Sequence, residues 1–282
     1  MAAPGSFTHV AIVGLGLMGG SFARALRRLP APPRISASSP EPEALRQALA
    51  ESVVDEAAED PATILGDADL VVYATPVGVT PDLLRAHRDA WRGDAVITDM
   101  GSVQRPGTMC AREIGAAGRF VGAHPMAGHH TAGFAASRAD LFEGARVWLA
   151  HEPEAGPAAD RVAELWHALG AHPRRIDAEA HDRLVAWASH LPQLTASALG
   201  STLAGAGIAP GALGPGGLDT TRLAASPPRL WADILAHNAD LVEPALAELQ
   251  RCLGRFADAL ARRDRPELER LLAAGHLWRR EV

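Results

Sequence analysis

Short apolar runs alternate with amphipathic stretches of helical length through the first two-thirds of the chain. Thr8 to Val13 is apolar and runs into Gly14-Leu15-Gly16-Leu17-Met18-Gly19-Gly20, after which Ser21 to Arg28 has helical spacing. Further strands are expected over Arg34 to Ser38, Asp69 to Ala74, Ala95 to Asp99, Phe120 to Ala123, Arg146 to Ala150 and Arg174 to Ile176. Helices are expected over Pro42 to Glu51, Pro81 to Ala90, Pro106 to Gly115 and Ala158 to Leu169. Strands alternating with helices predict a mostly parallel sheet covered on both faces. This gives an α/β class with a Rossmann-type doubly wound domain over residues 1–176.

From residue 177 to 282 the pattern is helical. Leu184, Ala188, Leu191, Thr195, Ala198 and Thr202 share one face of a helix from about Ala178 to Leu203. Pro192 removes a hydrogen bond inside it and predicts a kink. Gly205 to Gly217 reads as a loop, Pro227 to about Ala261 as one long helix, and Pro266 to Arg280 as a last one. Leu230, Trp231, Ile234, Leu235, Leu241, Val242 and Leu246 spread over more than one face. Helices of this kind are expected to pack on a second copy, giving a homodimer.

The glycines after the first strand acquire meaning from their context of strand, turn and helix. Gly14 permits a tight turn, Gly16 lets backbone approach a pyrophosphate, and Gly19 lets helix pack on strand. Leu17 and Met18 open the helix whose free N–H groups would face the phosphates. An acid for the ribose 2′-hydroxyl would stand roughly twenty residues on; Ser38 and Ser39 stand there instead, with Glu41 only after Pro40. Serine can bond a 2′-phosphate without repelling it, so the reading leans towards NADP over NAD, with Arg34 or Arg46 as possible aids. Later strands end at Thr75-Pro76, at Asp99 to Ser102, and at His124, where Pro125 forces an extended backbone. In a doubly wound sheet those ends line the crevice that the glycine loop faces, which makes Ser102 and His124 expected neighbours.

Composition narrows the function classes. With 282 residues, 48% hydrophobic, the chain can fill two domains, and a net charge of −6 gives no basic footprint for nucleic acid. All 27 cationic residues are arginine, so chemistry needing a catalytic lysine is excluded. Cys110 and Cys252 fit neither zinc nor redox spacing. No signal peptide or membrane-length run is visible, and a cytoplasmic protein is expected.

Four places could carry chemistry. His124 at a strand end could accept a proton near neutral pH, with Ser102 beside it. His190, in Ser189-His190-Leu191-Pro192, stands one turn before the expected kink and is equally readable as a core histidine. Arg222 offers a carboxylate-binding fork, or else a salt bridge to Asp219. His129 and His130 follow Gly128 without an acid or cysteine to complete a metal set, so no metal is expected and a bound anion suits them better.

Taken together, Gly14 to Ser21, Asp99 to Val103, His124-Pro125-Met126-Ala127-Gly128, Ser189 to Pro192 and Asp219 to Leu223 resemble the prephenate/arogenate dehydrogenase family across nearly the whole chain. The resemblance implies an N-terminal Rossmann domain, a C-terminal helical dimerisation domain, and oxidative decarboxylation of a cyclohexadienol with hydride transfer to NAD(P). It implies that His124 takes the proton of the substrate 4-hydroxyl, that Ser102 hydrogen-bonds both, that Arg222 binds a substrate carboxylate, and that His190 shapes the pocket. Gln104 stands where the family often has lysine, His129-His130-Thr131 where many members have Ser-Glu-Lys, and Gln193 where many have a second histidine. These departures fall near the substrate side chain and leave prephenate, arogenate and an amino-substituted analogue open, with a lean to arogenate. A β-hydroxyacid dehydrogenase is disfavoured by the missing lysine, and a non-catalytic NADP sensor by the joint presence of Ser102, His124 and Arg222.

Overall fold

The computed structural model describes residues 7–128 and 131–280. One sheet of eight strands runs in the order β3-β2-β1-β4-β5-β6-β7-β8. These are β1 (His9–Val13), β2 (Arg34–Ser38), β3 (Glu56–Ala58), β4 (Leu70–Tyr73), β5 (Val96–Asp99), β6 (Phe120–Pro125), β7 (Arg146–Ala150) and β8 (His172–Ile176). All pairings are parallel except that of β6 with β7. The helices threaded between strands are α1 (Leu17–Arg27), α2 (Pro42–Ala50), α3 (Ala62–Leu65), α4 (Thr80–His87), α5 (Arg105–Glu113) and α6 (Gly156–Ala168). The order of strands reverses at β1 and β4, and the crevice at such a point is where open α/β sheets take ligands.

Alternate residues of the central strands feed two cores. Val10, Ile12, Leu70 and Val72 join the cluster that holds Phe22 and Trp166, whereas Ala11, Val13, Val71 and Tyr73 join the one under Leu84 and Trp91. A strand buried on both faces reads as a continuous apolar run, which is why β1, β4 and β5 are visible in the sequence. β3 (Glu-Ala-Ala) and the four-residue α3 were not expected. Both are too short for an apolar period.

Three expectations need correction. The strand expected to stop at Ala123 continues through His124 and Pro125, because β7 pairs antiparallel with it: His124 opposes Trp148 and Pro125 opposes Val147. Pro125 has no N–H, and the ladder resumes when Met126 N–H donates to the Arg146 carbonyl at 2.8 Å.

The kink at Pro192 takes another form. α7 (Ala178–Val185) passes through a π-turn, Ala186–His190, straight into α8 (Leu191–Gly205). The Leu191 N–H reaches back to the Ala186 carbonyl. Widening the turn absorbs the proline without breaking the helix.

The long helix expected from Pro227 is two. α9 (Pro215–Thr221) starts in the last three residues of the stretch expected as a loop; then α10 (Pro228–His237) and α11 (Ala239–Arg262) meet at Asn238, and α12 (Arg265–Arg279) follows. Asn238 leaves helical geometry at φ −127°, ψ 21° and is fully buried. Its side chain bonds to Arg105, to the Asp182 carbonyl and to His190, and these contacts are the reason for the break.

Candidate active site

The glycine loop has the geometry that a dinucleotide needs. Gly14 has φ +99°, and a Cβ there would lie 2.5 Å from the Ala74 carbonyl oxygen. A Cβ on Gly19 would fall onto the Gly14 carbonyl, so α1 packs against the loop only because that atom is absent. Gly16 faces open space, and as the N-terminal cap of α1 it supplies no side chain to the first free N–H groups. Leu17 and Met18, half-buried, begin that helix. Free N–H donors at a helix start, reached over a bare glycine, suit a pyrophosphate.

At the end of β2, Ser38 Oγ donates to the Glu59 carbonyl at 3.2 Å. Ser39 Oγ donates to the Glu41 carboxylate at 3.0 Å, and the Glu41 N–H donates back to Ser39 Oγ. The arginines considered as phosphate aids are elsewhere. Arg34 opens β2, at the opposite end of the strand, and pairs with Glu56, while Arg46 pairs with Glu43 on the exposed side of α2. Across the crevice, Thr75 Oγ1 and Thr80 Oγ1 lie 2.8 Å apart, and the Pro76 carbonyl accepts the N–H groups of Val79 and Thr80.

β5 and β6 run side by side, with Asp99, the last residue of β5, opposite Gly122; His124 follows two residues further along β6, and Ser102 three residues past the end of β5. The expected hydrogen bond between them is not made; among the described residues, Ser102 has no hydrogen-bond partner. The Nδ1 of His124 lies instead 2.9 Å from Nε2 of His181 on α7, with the rings edge to face. The partner of His124 at Nδ1 is thus a residue of the helical wall.

Asp99 is fully buried, and burial pushes its carboxyl up to about 7 against the pull of N–H groups from Ala123 and Gly101. It lies near Gln104, whose Nε2 donates to the Gly101 carbonyl at 2.7 Å and whose Oε1 is buried without a partner. A Cβ on Gly122 would fall on that oxygen. Gln104 fills the space beside the strand as well as standing where the family often has lysine.

The helical wall is closed by a buried polar network. His181 Nδ1 lies 2.7 Å from Asp182 Oδ1, and both side chains are wholly buried. The backbone N–H groups of Gln104 and Arg105 donate to the two oxygens of Asp182, and Arg105 Nε adds a third contact. Arg105 reaches on to Asp240 with both terminal nitrogens and to Asn238 Oδ1 at 2.9 Å. Asn238 Nδ2 donates to the Asp182 carbonyl, 2.9 Å, and to His190 Nδ1, 3.2 Å.

Both histidines of the site are neutral near pH 7. Burial, then the neighbouring His181 and His190, hold His124 well below the ordinary imidazole range. Burial lowers His190 to about 4, against the opposite pull of Asp182, and Trp231 stands edge-on to its ring. A neutral imidazole is the form that can accept a proton.

Arg222 is exposed on a short turn after α9 and pairs with no acid among the described residues, so the salt bridge to Asp219 is absent. Gln193, buried on α8, ties that turn down through Nε2 to the Leu223 carbonyl and Ser197 Oγ, leaving its own Oε1 without a partner. No hydrogen bond links Arg222 to Ser102 or His124. His129 and His130 lie outside the described residues. The residues missed from the sequence are His181, Asp182, Arg105 and Asn238. A His-Asp pair inside a helix looks like surface charge, and no spacing connects it to position 124 or 238.

The model of the prephenate dehydrogenase nucleotide-binding domain matches residues 22–174, and that of the prephenate dehydrogenase dimerization domain matches residues 177–274. The cyclohexadienyl dehydrogenase of Zymomonas mobilis is 32% identical over 266 residues, covering 92% of this chain and 90% of its own. Among solved structures, prephenate dehydrogenase from A. aeolicus, in complex with hydroxyphenyl propionate and NAD+, superposes with a TM-score of 0.89 at 30% identity over 98% of each chain. Synechocystis arogenate dehydrogenase superposes with 0.81 at 26% identity, covering 97% of this chain and 99% of its own. With both parts of the chain matched and the dinucleotide loop and buried histidine in place, this chain belongs to the prephenate dehydrogenase family.

Proposed function

We propose that the chain oxidatively decarboxylates a 4-hydroxycyclohexadienyl acid, prephenate or arogenate. The observation that carries this reading is His124, neutral and buried near the carboxyl end of β6, on the same edge of the parallel sheet as the glycine loop that follows β1. A nicotinamide dinucleotide bound there supplies the hydride acceptor. His124 Nε2 accepts the proton of the C4 hydroxyl as the C–H bond gives up its hydride, the carboxylate leaves as CO2, and the ring becomes aromatic. The chain then has to orient two partners, take one proton and return it to the phenolate oxygen that decarboxylation leaves. Ser102 and Arg222 have no side-chain partner among the described residues; Ser102 hydrogen-bonds the substrate hydroxyl, His190 and Gln193 line the pocket, and Arg222 takes a substrate carboxylate. His129 and His130 come just after the His124 strand and are assigned to the substrate side chain.

On the cofactor, the pairing of Ser39 with Glu41 changes the balance reached from sequence. A carboxylate at the serine that would read the ribose disfavours a 2′-phosphate, and neither Arg34 nor Arg46 offsets it. We read this corner as favouring NAD over NADP. We also assign a homodimer, supported by the match to a dimerization domain and by Leu253, Leu260, Leu272, Leu277 and Trp278, each more than half exposed on the helical part.

The test is a two-by-two assay, prephenate and arogenate against NAD and NADP, followed at the reduced nicotinamide. Turnover with one substrate supports the reading and names the side chain. Four blanks overturn it.

A further inference from the structure

The proposed reaction asks for a bare ring nitrogen on His124, and the inference here rests on that reading. We propose that His181 and Asp182 are positioning residues: they hold His124 in the tautomer that leaves Nε2 free to accept, and they share the charge once it has done so.

The hydrogen-bond chain assigns each proton in turn. Asp182 Oδ1 receives the Gln104 N–H at 2.7 Å, and Oδ2 receives the Arg105 N–H at 2.9 Å and Nε at 3.2 Å. Surrounded by these donors, the carboxylate is an acceptor only. The 2.7 Å contact with His181 Nδ1 therefore carries its hydrogen on the ring. A neutral imidazole has one N–H, so His181 Nε2 is a lone pair, and the 2.9 Å contact to His124 must carry its hydrogen on His124 Nδ1. His124 Nε2 is then the acceptor. Both side chains that enforce this are fully buried, so water does not substitute for them.

The same residue sets the second histidine the other way. Asn238 Oδ1 accepts from Arg105 Nη2, which fixes the amide with Nδ2 as donor to the Asp182 carbonyl and to His190 Nδ1. His190 Nδ1 is thus an acceptor and its hydrogen sits on Nε2. One crevice holds a proton acceptor and a proton donor, both set through Asp182.

After His124 Nε2 takes a proton, the Nδ1–H bond can break as an N–H bond forms at His181 Nε2. His124 is left neutral with its new proton, and the positive charge rests on His181 against Asp182. No other reactant is needed. The other charged or titratable groups around the chain are Arg105, Asp240, His190 and Asp99.

Imidazole 15N chemical shifts of the whole protein, recorded without substrate, read the tautomer directly. His124 is expected as the Nδ1–H form, and a wild-type Nε2–H form would overturn the proposal. His181→Gln keeps an oxygen that can accept from His124 Nδ1 but cannot carry the proton; kcat should stay within about tenfold of wild type. His181→Phe removes the acceptor, and kcat should fall by about a hundredfold or more, with KM and dinucleotide affinity within about threefold; wrong-tautomer variants of related acid–base pairs lose as much as about 10⁴.

In the Gln variant the acidic limb of the kcat/KM profile should move to lower pH, since the imidazolium has lost its partner. A merely structural role would raise KM or lower the folded fraction and leave that limb in place, and either of those results, or equal kcat in all three proteins, rejects the assignment. If wild-type protein turns over none of the four substrate and cofactor pairs, the functional reading fails while the tautomer measurement still decides this one.

Discussion

The crevice has two walls of different construction. The sheet wall is made of strand ends: Gly14 after β1, Ser38 at the end of β2, Thr75 after β4, Ser102 after β5 and His124 in β6. Each is delivered by backbone geometry, and most carry few side-chain bonds. The helical wall is the reverse. His181, Asp182, His190 and Asn238 come from one π-interrupted helix and a break between two others, all buried, and all held by hydrogen bonds to one another and to the N-terminal end of α5. On the proposed reading the sheet wall places the groups that act and the helical wall decides which proton sits where. Such buried networks are costly unless every member is satisfied, and here Asp182 is the member on which the others converge.

Replacing the acting group should have the largest effect. His124→Asn keeps a polar side chain of similar reach at the strand end but removes the base, and kcat should fall by about 10² to 10⁴. Dinucleotide binding, measured by titration, should remain near wild type because the glycine loop is untouched. If turnover survives, the division of labour between the walls is wrong.

The sheet wall was legible because its residues sit at the ends of runs that must be apolar. β1, β4, β5 and β7 announce themselves as buried strands, and a polar residue at the end of such a run is a candidate for the crevice. The helical wall was illegible for an instructive reason. On the helix from Ala178, apolar spacing picked out Leu184, Ala188 and Leu191 as the inward face, yet Leu184 and the nearby Trp187 are 41% and 48% exposed. The inward face mixes His181, Asp182, His190 and Gln193 with Val185, Ala186 and Ala196, because part of it meets a polar network instead of an oily core. Periodicity finds apolar faces, and here the apolar face points outward, consistent with a second copy covering it. Asn238 was hidden for a related reason: an asparagine in a long helical pattern looks tolerable, and only its three partners explain why the helix breaks there.

A pH experiment tests whether the helical wall keeps its histidine neutral. His190 is lowered to about 4 by burial, whereas an unfolded histidine titrates at roughly 6.5. Between those values the unfolded chain binds a proton that the folded chain refuses, so stability contributed at this site is lost as pH falls from about 6.5 towards 4. At about 1.4 kcal/mol per unit, the loss approaches ~2–3 kcal/mol. Asp99, raised to about 7, works in the opposite sense: its folded form keeps a proton that the unfolded chain releases, so its contribution grows as pH falls through the same range. The wild-type curve mixes the two, and the informative quantity is the difference between wild type and His190→Gln in denaturant unfolding. The variant should gain on wild type from pH 7 down to pH 4. A constant difference would mean that His190 titrates normally and that the helical wall does not exclude charge.

The smallest effect belongs to the outer corner of the sheet wall, where the walls do not meet. Glu41 receives the Ser39 hydroxyl at 3.0 Å, and α2 starts at the next residue. A 2′-phosphate bound at Ser39 would bring about two negative charges close to this carboxylate. At roughly 5 Å and a water-like dielectric, the repulsion is about 2 kcal/mol before screening and on the order of 1 kcal/mol in physiological salt. Neither Arg34 nor Arg46 offsets it: Arg34 lies about 16 Å from Ser39, five residues at roughly 3.3 Å each, and Arg46 pairs with Glu43. Glu41→Gln keeps the acceptor for Ser39 and removes the charge. The ratio of kcat/KM for NADP to that for NAD should rise about tenfold, with the NAD value itself changed less than about twofold. A wild-type enzyme that already prefers NADP, with a ratio indifferent to Glu41→Gln, would show that the two serines read the phosphate unaided and that Glu41 points away from the ribose when cofactor is bound.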